Sequence, residues 1–316
     1  MPVLYIVIPC FNEQEVLPVS VPLFTAELDG MIGSGRISPK SRILLVDDGS
    51  KDGTWRIISE FAEHDERICG ISLSRNRGQQ NALLAGLTEA ADKCDIVLTI
   101  DCDGQDDPGV ISRMVEEYFG GCDIVYGVRS DRRRDSFSKR FSAQTFYRFL
   151  NLMGVQSIYN HGDCRLLSRR AAEALLEYRE TELYLRGIVP MIGFKSTVVE
   201  YERLTRLAGK TGYSFGKMLT LAVNAVTGLS IKPLRIISAL GFIVSFMSAV
   251  GIIWTLIQHF SGSTVSGWSS TVCILCFVSG IQLLSLGVIG EYIGKLYMEV
   301  KARPRFFISD RTDKEN

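Results

Sequence analysis

Ile96-Val-Leu-Thr-Ile-Asp-Cys-Asp-Gly-Gln105 is a short apolar, β-branched run that ends abruptly in two carboxylates and an amide. The apolar part is too short for a helix and has no polar face. That predicts a parallel strand, Ile96–Ile100, covered by helices on both sides. Working outward, Val3–Ile8, Ile43–Val46, Ile68–Leu73 and Ile124–Val128 have the same character. Segments with helical spacing lie between them, at about 13–29, 53–64, 78–91 and 108–119. Asp52 reads as a helix N-cap and Pro108 as a first-turn proline. Strict alternation of the two periods predicts an α/β domain with a doubly wound, mostly parallel, Rossmann-like sheet.

Ligands bind such sheets beyond the carboxyl ends of the strands. Pro9-Cys10-Phe11-Asn12-Glu13 follows the first expected strand, Asp47-Asp48-Gly49-Ser50 the second and Asp101-Cys102-Asp103-Gly104-Gln105 the fourth. Acidic and polar groups from distant segments therefore converge on one sheet edge. Alone, Asp101-x-Asp103 reads more readily as an acidic Asx-turn. Beside the other strand ends, its carboxylates and the Gln105 amide are hard oxygen donors suited to Mg2+ or Mn2+ shared with substrate phosphates. The chain has neither G-x-x-x-x-G-K-[ST] nor G-x-G-x-x-G, which argues against a P-loop enzyme and a dehydrogenase.

Between Arg235 and Glu291 lie 55 residues without Asp, Glu, Lys or Arg. One crossing of a bilayer takes about 20 residues, so this run suits two helices, at about 235–259 and 269–293. The polar stretch Ser261–Gly267 would be the turn. Lys217, Lys232 and Arg235 precede the pair, Lys295, Lys301, Arg303 and Arg305 follow it, and the turn has no positive charge. Positive charge marks the cytoplasmic side, so both termini are expected there. Phe215–Ile231 has an apolar stripe at helical spacing and is expected as an interfacial helix along the bilayer. Arg132-Arg133-Arg134 reads either as a solvated loop or as a contact for anionic lipid. Glycines at 287, 290 and 294 permit close helix packing and association of copies.

The whole chain has 316 residues, with 35 basic and 35 acidic side chains, and a mean hydropathy of +0.14. Balanced charge gives no field for nucleic acid, and the composition excludes disorder, collagen-like repeats and a disulfide scaffold. The eight cysteines show no zinc-ligand spacing, and Cys273-x-x-Cys276 sits in the apolar run. A reducing cytosol is expected for the soluble part. Met1–Cys10 lacks a basic leader and runs into a strand pattern, so no signal peptide is expected.

P-x-x-N-E at Pro9–Glu13, V-D-D-G-S-x-D-G-T at Val46–Thr54 and D-x-D-x-Q at Asp101–Gln105 resemble a family 2 glycosyltransferase with the GT-A fold. Arg75-Asn76-x-Gly78, Gly162-Asp163-x-Arg165-Leu166, Leu185-Arg186-Gly187, Arg206-x-Ala208-Gly209, Pro233-Leu234-Arg235 and Gly290-Glu291-Tyr292-Ile293-Gly294-Lys295 resemble one branch of it. That branch is the polyprenyl-phosphate glycosyltransferases, above all the bacterial bactoprenol glucosyltransferases, with dolichol-phosphate mannose synthases as more distant relatives. The resemblance implies a GT-A catalytic domain over 1–210, a juxtamembrane helix over 211–233, a two-helix anchor over 234–295 and a cytoplasmic tail over 296–316. It implies a metal-dependent, inverting hexosyltransferase in the cytoplasmic membrane, moving glucose from UDP-glucose onto undecaprenyl phosphate. GDP-mannose with dolichyl phosphate, a UDP-amino-arabinose donor and a non-catalytic scaffold are the other readings. A processive polysaccharide synthase is disfavoured, because the chain has too few apolar segments for a channel and lacks Q-x-x-R-W.

By position, the resemblance gives Pro9, Phe11, Glu13, Asp48, Asp101, Cys102, Arg129, Arg206 and Lys210 to the nucleotide sugar. Asp101, Asp103 and Gln105 hold Mg2+ or Mn2+ and the diphosphate. Asp103 and Asp163 are the catalytic carboxylates, Asp163 in the position of the proposed base. A homo-oligomer, of which a tetramer is one form, and a separate flippase are the expected partners beside the lipid and the membrane. Three departures stand out: Gly104 replaces a bulkier residue, Cys164 an aromatic, and Thr211-Gly212-Tyr213 a lysine-containing motif. Met31–Lys40 reads as a surface-loop insertion without an assigned role.

Overall fold

The computed structural model describes residues 1–129, 161–180, 184–202, 227, 230–260 and 267–313. The first unit takes in Met1–Arg148, Gln156–Ser214 and Arg303–Asn316, and the second Phe149–Val155 and Phe215–Ala302.

In the first unit the strands are β1 (Leu4–Cys10), β2 (Arg42–Asp47), β3 (Ile68–Leu73), β4 (Ile96–Thr99), β5 (Ile124–Arg129), β6 (His161–Ser168), β7 (Ser196–Tyr201) and β8 (Ile308–Arg311). The helices are α1 (Leu17–Gly33), α2 (Thr54–His64), α3 (Gln79–Ala90), α4 (Val110–Phe119), α5 (Arg169–Leu176) and the single turn α6 (Leu185–Ile188). All eight strands form one sheet in the order β7-β5-β6-β4-β1-β2-β3-β8. Neighbours β1/β2, β1/β4, β2/β3 and β5/β7 are parallel, while β6 runs antiparallel between β4 and β5, and β8 antiparallel along β3. The sheet is therefore mostly parallel, as the alternating pattern predicts.

The five expected strands form within two residues of their predicted ends. Every residue of β3 and β4 is buried, which explains their unbroken apolar runs. Phe24 and Leu28 of α1 join Ile6, Ile8, Ile43 and Leu98 in the core. Helix α3 lies close against β1 and β2, since a Cβ on Gly86 would fall 2.3 Å from Val7 Cγ1.

Some local expectations need correction. Helix α1 starts four residues late, because the Glu13 carbonyl accepts both the Val16 and Leu17 amides in a turn before it. Gly53, not Asp52, is the N-cap of α2, and the Asp52 carboxylate accepts the Thr54 amide at 3.0 Å. Pro108 precedes α4 instead of opening it, with Gly109 as the cap. Met31–Lys40 is not simply a surface loop, since Met31 extends the buried face of α1 and Ile37 is fully buried.

The second unit holds α7 (Lys232–Phe260, 29 residues) and α8 (Trp268–Lys301, 34 residues). At about 1.5 Å per residue both are longer than the ~30 Å of a hydrocarbon core. Large apolar side chains on them are exposed, among them Phe242, Phe246, Trp254 and Leu283. Among the described residues, one stretch, Phe277–Lys301, is both long and apolar enough to cross a membrane. The Tyr292 hydroxyl donates to the Ser230 carbonyl at 2.5 Å within this unit. Most of the expected interfacial helix, the Ser261–Ser266 part of the turn and the Arg132–Arg134 cluster lie outside the described residues.

Candidate active site

Loops after β1 and β2 are stitched together. The Asp48 amide donates to the Cys10 carbonyl at 2.8 Å, the Asn12 amide to Ser50 Oγ at 2.9 Å and the Glu13 amide to Thr54 Oγ1 at 2.9 Å. Asn12 closes the turn at φ 54°, a left-handed conformation that asparagine tolerates. Lys51 N–H donates back to its side chain at 2.9 Å. Phe11 is left exposed at the mouth, a flat apolar ring available for stacking, while Pro9 remains paired in the sheet beside Val46.

Asp48 is buried, and its two oxygens accept the amides of Arg77 at 2.7 Å and Gly78 at 2.9 Å. Burial outweighs those bonds and raises its pKa. The carboxylate thus fixes the Arg75–Gly78 loop, which approaches Gly49 so closely that a Cβ there would lie 2.5 Å from the Arg75 carbonyl carbon.

After β4, Asp101 and Asp103 point their chemistry to the same edge. Gln79 Nε2, at the start of α3, donates to Asp101 Oδ1 at 2.7 Å and to Asp163 Oδ2 at 3.1 Å. Gln79 therefore bridges the acidic end of β4 and the carboxylate of β6. Burial, then the neighbouring Asp163, Asp106 and Asp103 carboxylates, push the Asp101 pKa up to about 7 against the pull of Arg129. The Gln105 amide donates to Asp103 Oδ1 at 3.1 Å, turning the loop through Gly104 at φ 67°. Glycine accepts that conformation without the Cβ penalty, which accounts for the missing bulkier residue. Cys102 is buried in the hydrophobic core with Cys10, so its side chain faces the core.

Arg129 ends β5. Its guanidinium donates to Asp106 Oδ1 at 2.9 and 3.1 Å and to the Tyr201 hydroxyl at 3.4 Å, and it stands 4.0 Å from Asp101 Oδ2. Asp163, on β6, is almost fully buried. It accepts Arg165 Nη2 at 2.8 Å and both Arg186 Nε at 3.1 Å and Nη2 at 3.0 Å. It is not the cap of α5, a role taken by Ser168, whose hydroxyl accepts the Ala171 amide. Arg206 and Lys210 lie outside the described residues.

Asp106, Gln79 and Tyr201 are site residues that the sequence reading passed over, and Arg186 carried no role. Asp106 was within reach as the next carboxylate after D-x-D-x-Q, and Gln79 as the first residue of a helix at a strand end. Tyr201 stands on a strand with no advance signal.

The carboxylates here are hard oxygen donors of the kind that Mg2+ or Mn2+ takes. Four carboxylates, Asp101, Asp103, Asp106 and Asp163, surround the edge, and the buried Asp106 Oδ2 has no hydrogen-bond partner among the described residues. No group of three or more His, Cys, Asp or Glu side chains is set for a metal among the described residues. The donor set is the sparse kind that substrate phosphates complete.

A mostly parallel sheet with D-x-D beyond its fourth strand defines a GT-A glycosyltransferase domain. The model of "Glycosyl transferase family 2" matches residues 5–176, and that of the "GtrB C-terminal hairpin" matches 232–296. The chain belongs to glycosyl transferase family 2. It is 48% identical to "Uncharacterized glycosyltransferase YkoT" of Bacillus subtilis (strain 168), over 97% of this chain and 91% of that protein. It is 36% identical to "Bactoprenol glucosyl transferase" of Shigella phage SfX, over 97% and 98%. A solved structure of the mannosyltransferase PcManGT from Pyrobaculum calidifontis, in complex with GDP-Man and Mn2+, is similar at 16% identity and TM-score 0.44, covering 95% of this chain and 86% of that one.

Proposed function

We propose that the protein is a membrane-anchored inverting glycosyltransferase that moves glucose from UDP-glucose to undecaprenyl phosphate at the cytoplasmic face. The observation that carries this reading is the acidic edge beyond β4, flanked by Arg129 and by the Asp163–Arg186 pair. Similarity over nearly the full length to proteins named bactoprenol glucosyl transferase supports a glucosyl donor and a polyprenyl acceptor.

Phe11, with Pro9 and Glu13 around it, borders the nucleoside. Asp101, Asp103 and Gln105 would hold Mg2+ or Mn2+ with the donor diphosphate. When bound, that ion neutralises charge developing on the departing nucleoside diphosphate. Arg129, fixed by Asp106 and Tyr201, adds a cation on the same side, and Arg206 and Lys210 are assigned to the closing loop. An oxygen of the lipid phosphate attacks the anomeric carbon from the face opposite the diphosphate, and the bond from that carbon to the diphosphate oxygen breaks. The products are polyprenyl-phosphate sugar and nucleoside diphosphate. A phosphate monoester has its second pKa near 6, so the attacking oxygen is already anionic at neutral pH. Asp163, engaged by two arginines, needs to take no proton. It holds Arg186 toward the acceptor phosphate and links it, through Gln79, to Asp101.

Two crossings suit the chain connectivity. Strands before α7 and the strand after α8 belong to one sheet, which supports a reading in which both flanks of the pair lie on one side of a bilayer and both helices cross it. Movement of the product to the other face then falls to a separate flippase. Copies of the chain associate through the glycines of α8.

The test is to incubate membranes containing the protein with radiolabelled UDP-glucose, GDP-mannose and other nucleotide sugars, then extract the lipid. Label from UDP-glucose alone, lost with a chelator, is expected. Label from another donor replaces the sugar assignment. Label in polymer or protein without a lipid intermediate removes the proposal.

A further inference from the structure

After α8 the chain re-enters the catalytic sheet, and its contacts there are disproportionate to what it buries. Only Ile308 of β8 is half-buried; the next three residues are exposed. Core formation therefore does not explain the strand. Apart from Arg311, which reaches Glu89 of α3 at 3.2 Å, its hydrogen bonds run to β3 and the loop that follows. Gly70 N–H donates to Thr312 Oγ1 at 2.8 Å, and Ser74 N–H to the Phe307 carbonyl at 2.9 Å. The Ser309 hydroxyl donates to the Ser72 carbonyl at 3.1 Å.

From Ser72 the network continues inward. Its buried hydroxyl donates to Asp47 Oδ2 at 2.8 Å, and Asp47 Oδ1 accepts the Ser50 amide at 3.0 Å. Ser50 Oγ in turn holds the Asn12 amide. Ser74 leads directly into Arg75–Gly78, the loop gripped by Asp48. The two loops that border the expected nucleoside are thus each tied to the C-terminal strand, one through Ser309, Ser72 and Asp47, the other through Phe307 and Ser74.

We propose that β8 is a positioning element of the donor site. It sets the Asp48–Ser50 turn and the Arg75–Gly78 loop, so that nucleotide affinity depends on residues that follow the helices and touch no substrate. The proposal rests on the donor-site reading given above. Ser72 and Ser309 are positioning residues, and Asp47 is the group through which they act. An edge strand without β8 would also leave its amides and carbonyls unpaired.

The experiment uses the full chain in detergent, with UDP plus Mg2+ as the probe in titration calorimetry. Ser72→Ala and Ser309→Ala are each expected to weaken UDP about fivefold, the loss of one hydrogen bond read as affinity. KM for the donor rises while kcat stays within about twofold. Ser72→Thr, which keeps the hydroxyl, restores affinity. Amide exchange quickens at Ser50 and at residues 75–78 in both alanine variants. Ile37→Val, a core change of comparable thermal cost outside this network, leaves UDP affinity unchanged. Alanine variants that bind UDP like the wild type, whatever their melting temperature, overturn the proposal. Wild type that binds no UDP, or Asp48→Ala that binds it unchanged, removes the donor-site reading and this inference with it.

Discussion

Replacing Gly49 by alanine is the sharpest test of how the donor loops are built. Gly49 has φ 65°, where an L-residue with a Cβ loses roughly 1–2 kcal/mol. Its new Cβ would sit 2.5 Å from Arg75 C, 2.6 Å from Asn76 N and 2.7 Å from Arg75 Cα. All three are backbone atoms, so no rotamer relieves the overlap. The 75–78 loop must withdraw by about 1 Å to reach ordinary contact near 3.5–4.0 Å. Such overpacking costs about 1–3 kcal/mol, and withdrawal strains the two amide bonds to Asp48. The total is about 2–5 kcal/mol. For a catalytic unit of this size each kcal/mol moves Tm by about 2–4 °C, so a fall of roughly 4–20 °C is expected. Thermal fluorimetry of the purified protein reads that fall, and calorimetry with UDP reads the accompanying loss of affinity. Gly49→Asn relieves part of the φ penalty but none of the overlap, so it should stay close to the alanine variant. An alanine variant melting within 2 °C of wild type, with UDP binding intact, refutes the close approach of the two loops.

Asp163→Asn should lower turnover by about tenfold or more by loosening Arg186, and raising the pH should not rescue it; a wild-type rate that climbs steadily above pH 7 would instead mark a proton acceptor. Asp106→Asn frees Arg129 from its ion pair, so the donor KM should rise several-fold with little change in acceptor KM, measured by initial rates with each substrate varied. Asp123 is held below the usual carboxylate range, chiefly by the Arg170 guanidinium, and it also accepts the Ser168 hydroxyl. Its contribution to stability is complete above the unfolded carboxylate pKa, near 4, and fades as pH falls through the lower folded value. Asp123→Asn should therefore cost about 1–2 kcal/mol at pH 7 and progressively less below pH 4, as read by urea titration at each pH.

Much of the catalytic fold was legible because parallel strands covered on both faces must be apolar throughout. Ile68–Leu73 matches its strand end to end, and Ile96–Ile100 overshoots by one residue. The strands that escaped notice are those without that constraint. His161–Ser168 carries Asp163 and Arg165 inside the sheet, so its charged residues mask a strand whose cost is met by pairing them with each other. Ser196–Tyr201 is an edge strand with alternate exposed residues, and Ile308–Arg311 is nearly all exposed. Site residues divide in the same way. Asp101 and Asp103 could be read from a strand end. Gln79 and Asp106 act through long-range contacts, across 84 residues to Asp163 and 23 to Arg129, that no local pattern records.

Charge partition at the sheet edge argues for which carboxylates await a cation. Asp163 is matched by Arg165 and Arg186, and Asp106 by Arg129, each at hydrogen-bond distance. Among the described residues, Asp101 meets the neutral Gln79 amide and an arginine 4.0 Å away that is already committed to Asp106. Its pKa of about 7 reflects burial first, then like-charged neighbours with too little positive charge to offset them. A divalent ion at Asp101 and Asp103 would supply it, whereas the same ion at Asp163 would have to displace two guanidinium groups. The arginines are thus shared between Asp163 on β6 and Asp106 in the loop after β4, and the proposed metal would be left to Asp101 and Asp103. Gln79 touches both, so a substitution there should disturb metal and acceptor affinity together.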